Sequence, residues 1–135
     1  MPNNDQERFQ ARRDARLQLT VSHFASESRL VCRGEIDTLT VAELSEAITM
    51  VIETNPTLLL VDWQRVSSVG VTGVDVLESA TRVCRARGIT LQVTLSDSTR
   101  RVLDIVGWGS IEEAPDPYWL PSEVEDALVG ALSMN

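Results

Sequence analysis

The residue best placed to do chemistry is Thr72, in the run Val66-Ser67-Ser68-Val69-Gly70-Val71-Thr72-Gly73-Val74. An apolar stretch ends at Asp62, a polar turn is expected next, and a helical pattern begins near Thr72. A hydroxyl at such a handover faces unpaired N–H groups and the positive end of a helix dipole. A phosphate on it would sit in a favourable field and would change the charge of the surface. Thr72 is therefore a phosphorylation candidate, and it is equally a plain N-cap for the helix that follows. Asp37, Ser67, Ser68, Gly70, Val71, Thr72, Gly73 and Val74 are all expected at one end of the fold, as a partner-binding surface. That layout reads as a switch more than as a catalyst.

Catalytic groups are scarce. His23 is the single histidine, and no G-x-S-x-G elbow accompanies it. All 12 basic residues are arginine, which excludes a Schiff-base or Walker-type lysine. One histidine and two separated cysteines, Cys32 and Cys84, make no zinc-ligand pattern. No dinucleotide fingerprint or other cofactor motif is present. Glu35, Asp37 and Asp62 are the remaining acid–base set, and their ordinary reading is loop polarity and helix N-terminal charge. An enzyme built on these three carboxylates is the weakest of the readings.

Length and charge narrow the class. A chain of 135 residues fits one domain with a sizeable core. The net charge of −8 disfavours nucleic acid as a partner. No run reaches the roughly 20 apolar residues of a membrane helix, so no membrane partner is expected. The polar N-terminal stretch lacks a signal-peptide pattern. A cytoplasmic location is expected, with Cys32 and Cys84 as reduced, buried thiols.

The elements follow from periodicity. Residues 17–23 and 29–36 alternate and form a predicted hairpin. Thr40 and Glu43 have capping-box spacing and open a helix to about residue 53. Residues 57–62 are a continuous apolar run, as in a buried strand. A second helix covers about 72–87, a strand 90–95, and Ser96 caps a third helix that Gly107 ends. Ser122 and Glu125 open a short C-terminal helix, with Val124, Ala127, Leu128, Ala131 and Leu132 on one side. Trp108 is expected to seal the third helix to the sheet, and Trp63 is weighed as an exposed partner contact. The order predicts an α/β fold, a mixed sheet of four to five strands packed with three to four helices.

Three segments carry a resemblance. Arg33-Gly34-Glu35-Ile36-Asp37, followed by Thr40-Val41-Ala42-Glu43-Leu44, resembles the Gly-Glu-(Leu/Ile)-Asp turn and helix start of the STAS domain of bacterial anti-sigma-factor antagonists. Leu59-Leu60-Val61-Asp62 through Val69 resembles its central strand and following turn. Gly70-Val71-Thr72-Gly73-Val74 falls where that family has Asp-Ser-Ser-Gly-Leu. The strand near residue 90 and Val102-Leu103-Asp104-Ile105-Val106-Gly107 also fit. The match spans about residues 17–111, with a polar tail at 1–16 and an extension at 112–135.

The resemblance implies a regulatory module that binds an ATP-binding anti-sigma factor kinase and so frees a sigma factor. It also implies that phosphorylation at the position of Thr72 switches the antagonist off. Here the family's Asp is Gly70 and its first Ser is Val71. Gly70 supplies no polar contact, and Val71 cannot hydrogen-bond and stiffens the loop. The alternative is a STAS scaffold that is never phosphorylated and that self-associates or senses a small ligand.

Overall fold

The structure, a computed structural model, describes residues 12, 13 and 16–114. The predicted C-terminal helix lies outside the described residues. Eight elements follow in chain order: β1 (Arg12–Arg13), β2 (Leu17–Phe24), β3 (Glu27–Ile36), α1 (Val41–Glu53), β4 (Leu58–Val69), α2 (Val71–Ala86), β5 (Thr90–Leu95) and α3 (Asp97–Val106). The sheet order is the sequence order, β1-β2-β3-β4-β5. β1, β2 and β3 pair antiparallel, whereas β3–β4 and β4–β5 are parallel. Arg12 and Arg13 thus belong to the sheet, opposite Leu19 and Gln18, and not to a free tail.

Alternation sets which face is covered. Leu17, Leu19 and Val21 of β2, Leu30 and Cys32 of β3, Leu59, Val61 and Trp63 of β4, and Leu91, Val93 and Leu95 of β5 point to one side. There they meet Leu44, Ile48 and Val51 of α1, Val74, Leu77 and Cys84 of α2, and Leu103 of α3. The two parallel crossovers step across the sheet in the same direction. Right-handed connections therefore put α1 and α2 on the same face. Trp63, weighed above as a partner contact, is wholly buried in this layer. Cys32 and Cys84 are free and buried, and Trp108 is packed against the core. The Trp108 indole N–H donates to Asp104 at 2.9 Å.

Two local expectations are corrected. β4 continues through Ser67 and Ser68 to Val69, where a turn was expected after Asp62. β5 stops opposite Trp63, so the remaining six residues of β4 pair with β3 alone. Register shifts between Val31 and Arg33 and between Gly34 and Glu35 then break the two-residue period. A polar strand end without periodicity reads like a turn.

The capping box of α1 is also absent. Thr40 is the N-cap residue, but its side chain caps no helix N–H, and the Glu43 Oε1 is buried without a hydrogen bond. The Thr40 hydroxyl instead donates to the Glu35 carbonyl at 2.9 Å and accepts from the Asp37 N–H at 3.0 Å. It ties the helix start to the end of β3.

Candidate partner-binding site

β3 ends at Ile36, and the chain turns at Asp37. The Asp37 Oδ1 accepts from the Leu39 N–H at 2.9 Å and from the Thr40 N–H at 3.1 Å, a turn in which the side chain replaces a backbone acceptor. These N–H groups, that of Leu39 foremost, hold the Asp37 carboxyl below its ordinary value, with help from Arg16 at 3.4 Å. The loop leaves Leu39 facing solvent, 68% exposed.

β4 runs beside β3 in parallel. Glu35 stands opposite Ser68 and Ile36 opposite Val69. The Gly70 N–H donates to the Ile36 carbonyl at 2.9 Å, the last rung before the helix. Gly70 is the N-cap of α2, with extended backbone (φ −90°, ψ 174°), and its carbonyl accepts from Gly73 and Val74. Val71, the first helical residue, is 57% exposed.

Thr72 is consequently the second residue of the helix and does not cap it. Its Oγ1 is buried and makes no hydrogen bond. Gly73 and Val74 also depart from the expected surface. Val74 is only 5% exposed and belongs to the core. Gly73 lies against Ile36 and Val69. Position 71 turns outward, and a helix advances about 100° per residue, so the next two or three positions turn inward.

The structure thus brings Asp37, Leu39, Ser68, Gly70 and Val71 together at the C-terminal ends of the paired parallel strands β3 and β4. Ser67 is an exposed strand residue whose hydroxyl donates to the Gly34 carbonyl at 3.2 Å. Its own carbonyl accepts from the Ser98 hydroxyl at 3.2 Å, and the Ser96 hydroxyl donates to the Val66 carbonyl at 2.9 Å. The first turn of α3 therefore borders the same surface. The sequence signal was Ser96-Asp97-Ser98-Thr99, read above only as a cap. That cap does form, with the Ser96 Oγ accepting from the Thr99 N–H at 3.2 Å.

The three carboxylates are not gathered. Asp62 lies six residues before Ser68 on β4, roughly 20 Å along a strand, whereas Glu35 faces Ser68. The Asp62 Oδ1 is occupied by the Thr94 hydroxyl and the Gln64 N–H, both at 2.9 Å. His23 lies at the far end, in the β2–β3 hairpin, with its Nδ1 2.8 Å from the Ser28 hydroxyl. Among the described residues no cluster of His, Cys, Asp and Glu could hold a metal. No described helix is long and apolar enough to cross a membrane.

Comparison with known proteins accounts for this arrangement. Residues 26–127 match the family model of the STAS domain. The chain belongs to the STAS domain family. Anti-sigma-F factor antagonist RsfB of Mycobacterium tuberculosis is 33% identical over 113 residues, covering 83% of this chain and 87% of that protein. The STAS fold here superposes on an anti-sigma factor antagonist from Mycobacterium paratuberculosis with a TM-score of 0.68 at 23% identity, covering 84% and 92% of the two chains. The antagonist SpoIIAA in its unphosphorylated form gives a TM-score of 0.63 at 18% identity, covering 83% and 96%. At those identities the two structures establish the STAS fold, and the RsfB match adds a sequence relationship.

Proposed function

We propose that this STAS protein is an anti-sigma-factor antagonist that binds an ATP-binding, kinase-type anti-sigma factor in the cytoplasm and releases a sigma factor from it. The observation that carries this reading is the surface formed where β3, β4 and α2 meet, in a chain one-third identical to a named antagonist. Leu39 and Val71 supply exposed apolar area there, and Asp37 and Ser68 supply a polar rim. A few well-packed residues near the centre of an interface carry most of its binding energy. The role is binding and not catalysis, as the dispersed carboxylates support.

Calorimetric titration with the ATP-binding anti-sigma factor of the same organism tests this. Ser68→Arg and Val71→Glu replace exposed residues and should leave the melting curve intact. Each should weaken binding by tenfold or more, about 1.4 kcal/mol or above. Normal affinity in both variants would place the contact elsewhere.

A second reading concerns the switch. The Thr72 Oγ1 is buried, and Gly70 and Val71 replace the polar residues that precede the modified hydroxyl in the family pattern. Both features favour an antagonist that is not phosphorylated at Thr72. Incubation with ATP and the anti-sigma factor, followed by peptide mass analysis, separates the two. Phosphate on Thr72 in the wild-type protein supports the switch. Phosphate appearing only after Gly70→Asp and Val71→Ser supports the unswitched antagonist.

A further inference from the structure

The helical layer carries a groove between its first two helices. α1 and α2 each cross back between parallel strands, so they lie side by side and run in the same direction. Thr49 of α1 and Ser79 and Ala80 of α2 are small, and a space of about 340 Å³ remains between the helices. Its floor is apolar, with Ile48 in the core and Val76 packed against it. Val83 stands at its side, 44% exposed. The charged residues that border it are Glu53, Asp75 and Arg87. Among the described residues, Asp75 and Arg87 have no ion-pair partner in their own chain.

The groove side of α2 is arranged symmetrically. Asp75, Ser79, Val83 and the C-cap residue Arg87 are four apart and form one ridge of the helix. Asp75 and Arg87 lie equally far on either side of Thr81 in sequence, and so do Ser79 and Val83. An interface about a two-fold axis needs such self-complementarity, in which one residue meets a second and the second meets the first. An axis at the level of Thr81 would set Arg87 against Asp75 at both ends and Val83 over the smaller Ser79 on both sides of the middle. Opposite charges and opposite sizes thus match in a single register.

We propose that the α1–α2 groove is an interface between two copies of this chain, with α2 lying antiparallel on α2 of the second copy and Asp75 paired with Arg87 across it. Glu53 is the third charge at each end. Arg87 carries five N–H donors, which serve Glu53 of its own chain and Asp75 of the second copy together. The overlap runs from Asp75 to Arg87, about 18 Å. Val71 lies one turn outside it, so Leu39 and Val71 stay open at the ends of β3 and β4. A contact of this size is at the small end of specific interfaces, and the dimer is a reversible one.

Sedimentation equilibrium of the full-length chain reads the mass, and charge reversal reads the register. Asp75→Arg sets like charges together at both ends of the interface, and so does Arg87→Asp. Both positions are exposed, and each variant is first shown to melt cooperatively. The wild-type chain should form a dimer whose share rises with concentration. Each variant alone should raise the dimer dissociation constant by about tenfold or more, because like charges facing across an interface repel. Val83→Glu should weaken it as well. An equimolar mixture of Asp75→Arg and Arg87→Asp should regain the dimer, because the two substituted positions meet at one end and native Arg87 meets native Asp75 at the other. A wild-type monomer at every concentration up to about 1 mM, the result also expected if another segment of the same chain fills the groove, would overturn the proposal. So would a dimer that both charge reversals leave intact, or a mixture no more dimeric than its components.

Discussion

A β-carbon on Gly73 would stand 2.6 Å from the Ile36 Cγ2, so the first turn of α2 rests directly on the last residue of β3. The same atom would be 2.7 Å from the Val69 Cγ2. Ile36 and Val69 are buried and β-branched, so neither can swing aside. Gly73→Ala would gain about 0.5–1 kcal/mol of helix propensity. Overpacking costs about 1–3 kcal/mol, and it should dominate. Urea denaturation is expected to show a net loss of stability and, because α2 is pushed off β3, weaker partner binding. A stabilised variant would mean that the junction is looser than its geometry.

Thr40 couples the Asp37 turn to β3 through two hydrogen bonds from one buried hydroxyl. Thr40→Val keeps the shape and leaves the Asp37 N–H and the Glu35 carbonyl without it. The expected loss is about 1–3 kcal/mol, and Thr40→Ser should recover most of it. Thermal or urea melts of the two variants check this. Equal stability of Thr40→Val and wild type would refute the coupling.

The Asp37 turn should also be pH-sensitive. Leu39, Thr40 and Arg16 all favour the ionised carboxylate and hold it below its ordinary value of 3.8. A carboxyl lowered on folding contributes stability above its unfolded value and loses it as pH falls through the folded one. Unfolding midpoints should therefore drop more steeply below about pH 3.8 in wild type than in Asp37→Asn. Parallel curves would show that the turn does not depend on the charge.

Thr72→Val tests the buried hydroxyl. An unpartnered hydroxyl taken out of water costs about 1–3 kcal/mol, and valine has nearly the same shape. The variant should be as stable as wild type or more so, with partner affinity retained. No capping loss is expected, because Gly70 is the N-cap. A destabilisation beyond about 1 kcal/mol would mean that the Thr72 Oγ1 finds a hydrogen bond in solution.

The two thiols should be silent until the protein unfolds. Burial pushes Cys84 up to about 11 against the opposing charge of Arg87, and burial pushes Cys32 up further. The thiolate is the reactive form. At pH 8 a chromogenic disulfide reagent should titrate neither cysteine quickly in the native protein and both in denaturant. A fast native phase would show that α2 or β3 opens readily.

Several features were legible in the chain alone, because they depend on neighbours in sequence. Two-residue alternation in β2, the 3.6-residue stripe of α1 and α2, the Ser96 cap and the Gly107 stop are local signals, and each element stands where they place it. The Gly34-Glu35-Ile36-Asp37 segment and the Gly70–Gly73 junction marked the family for the same reason. Tertiary structure decided the rest. Ser67 and Ser68 lie on a strand because β3 extends past β5, which no window of sequence contains. Thr40 serves β3 instead of its own helix because the Glu35 carbonyl lies within its reach. Val74 points into the core and Val71 away from it because the end of β3 sets the rotation of α2 about its axis. A hydroxyl, a glycine and a valine in a row announce a site, but which of them faces a partner is settled by the packing of one helix on one strand.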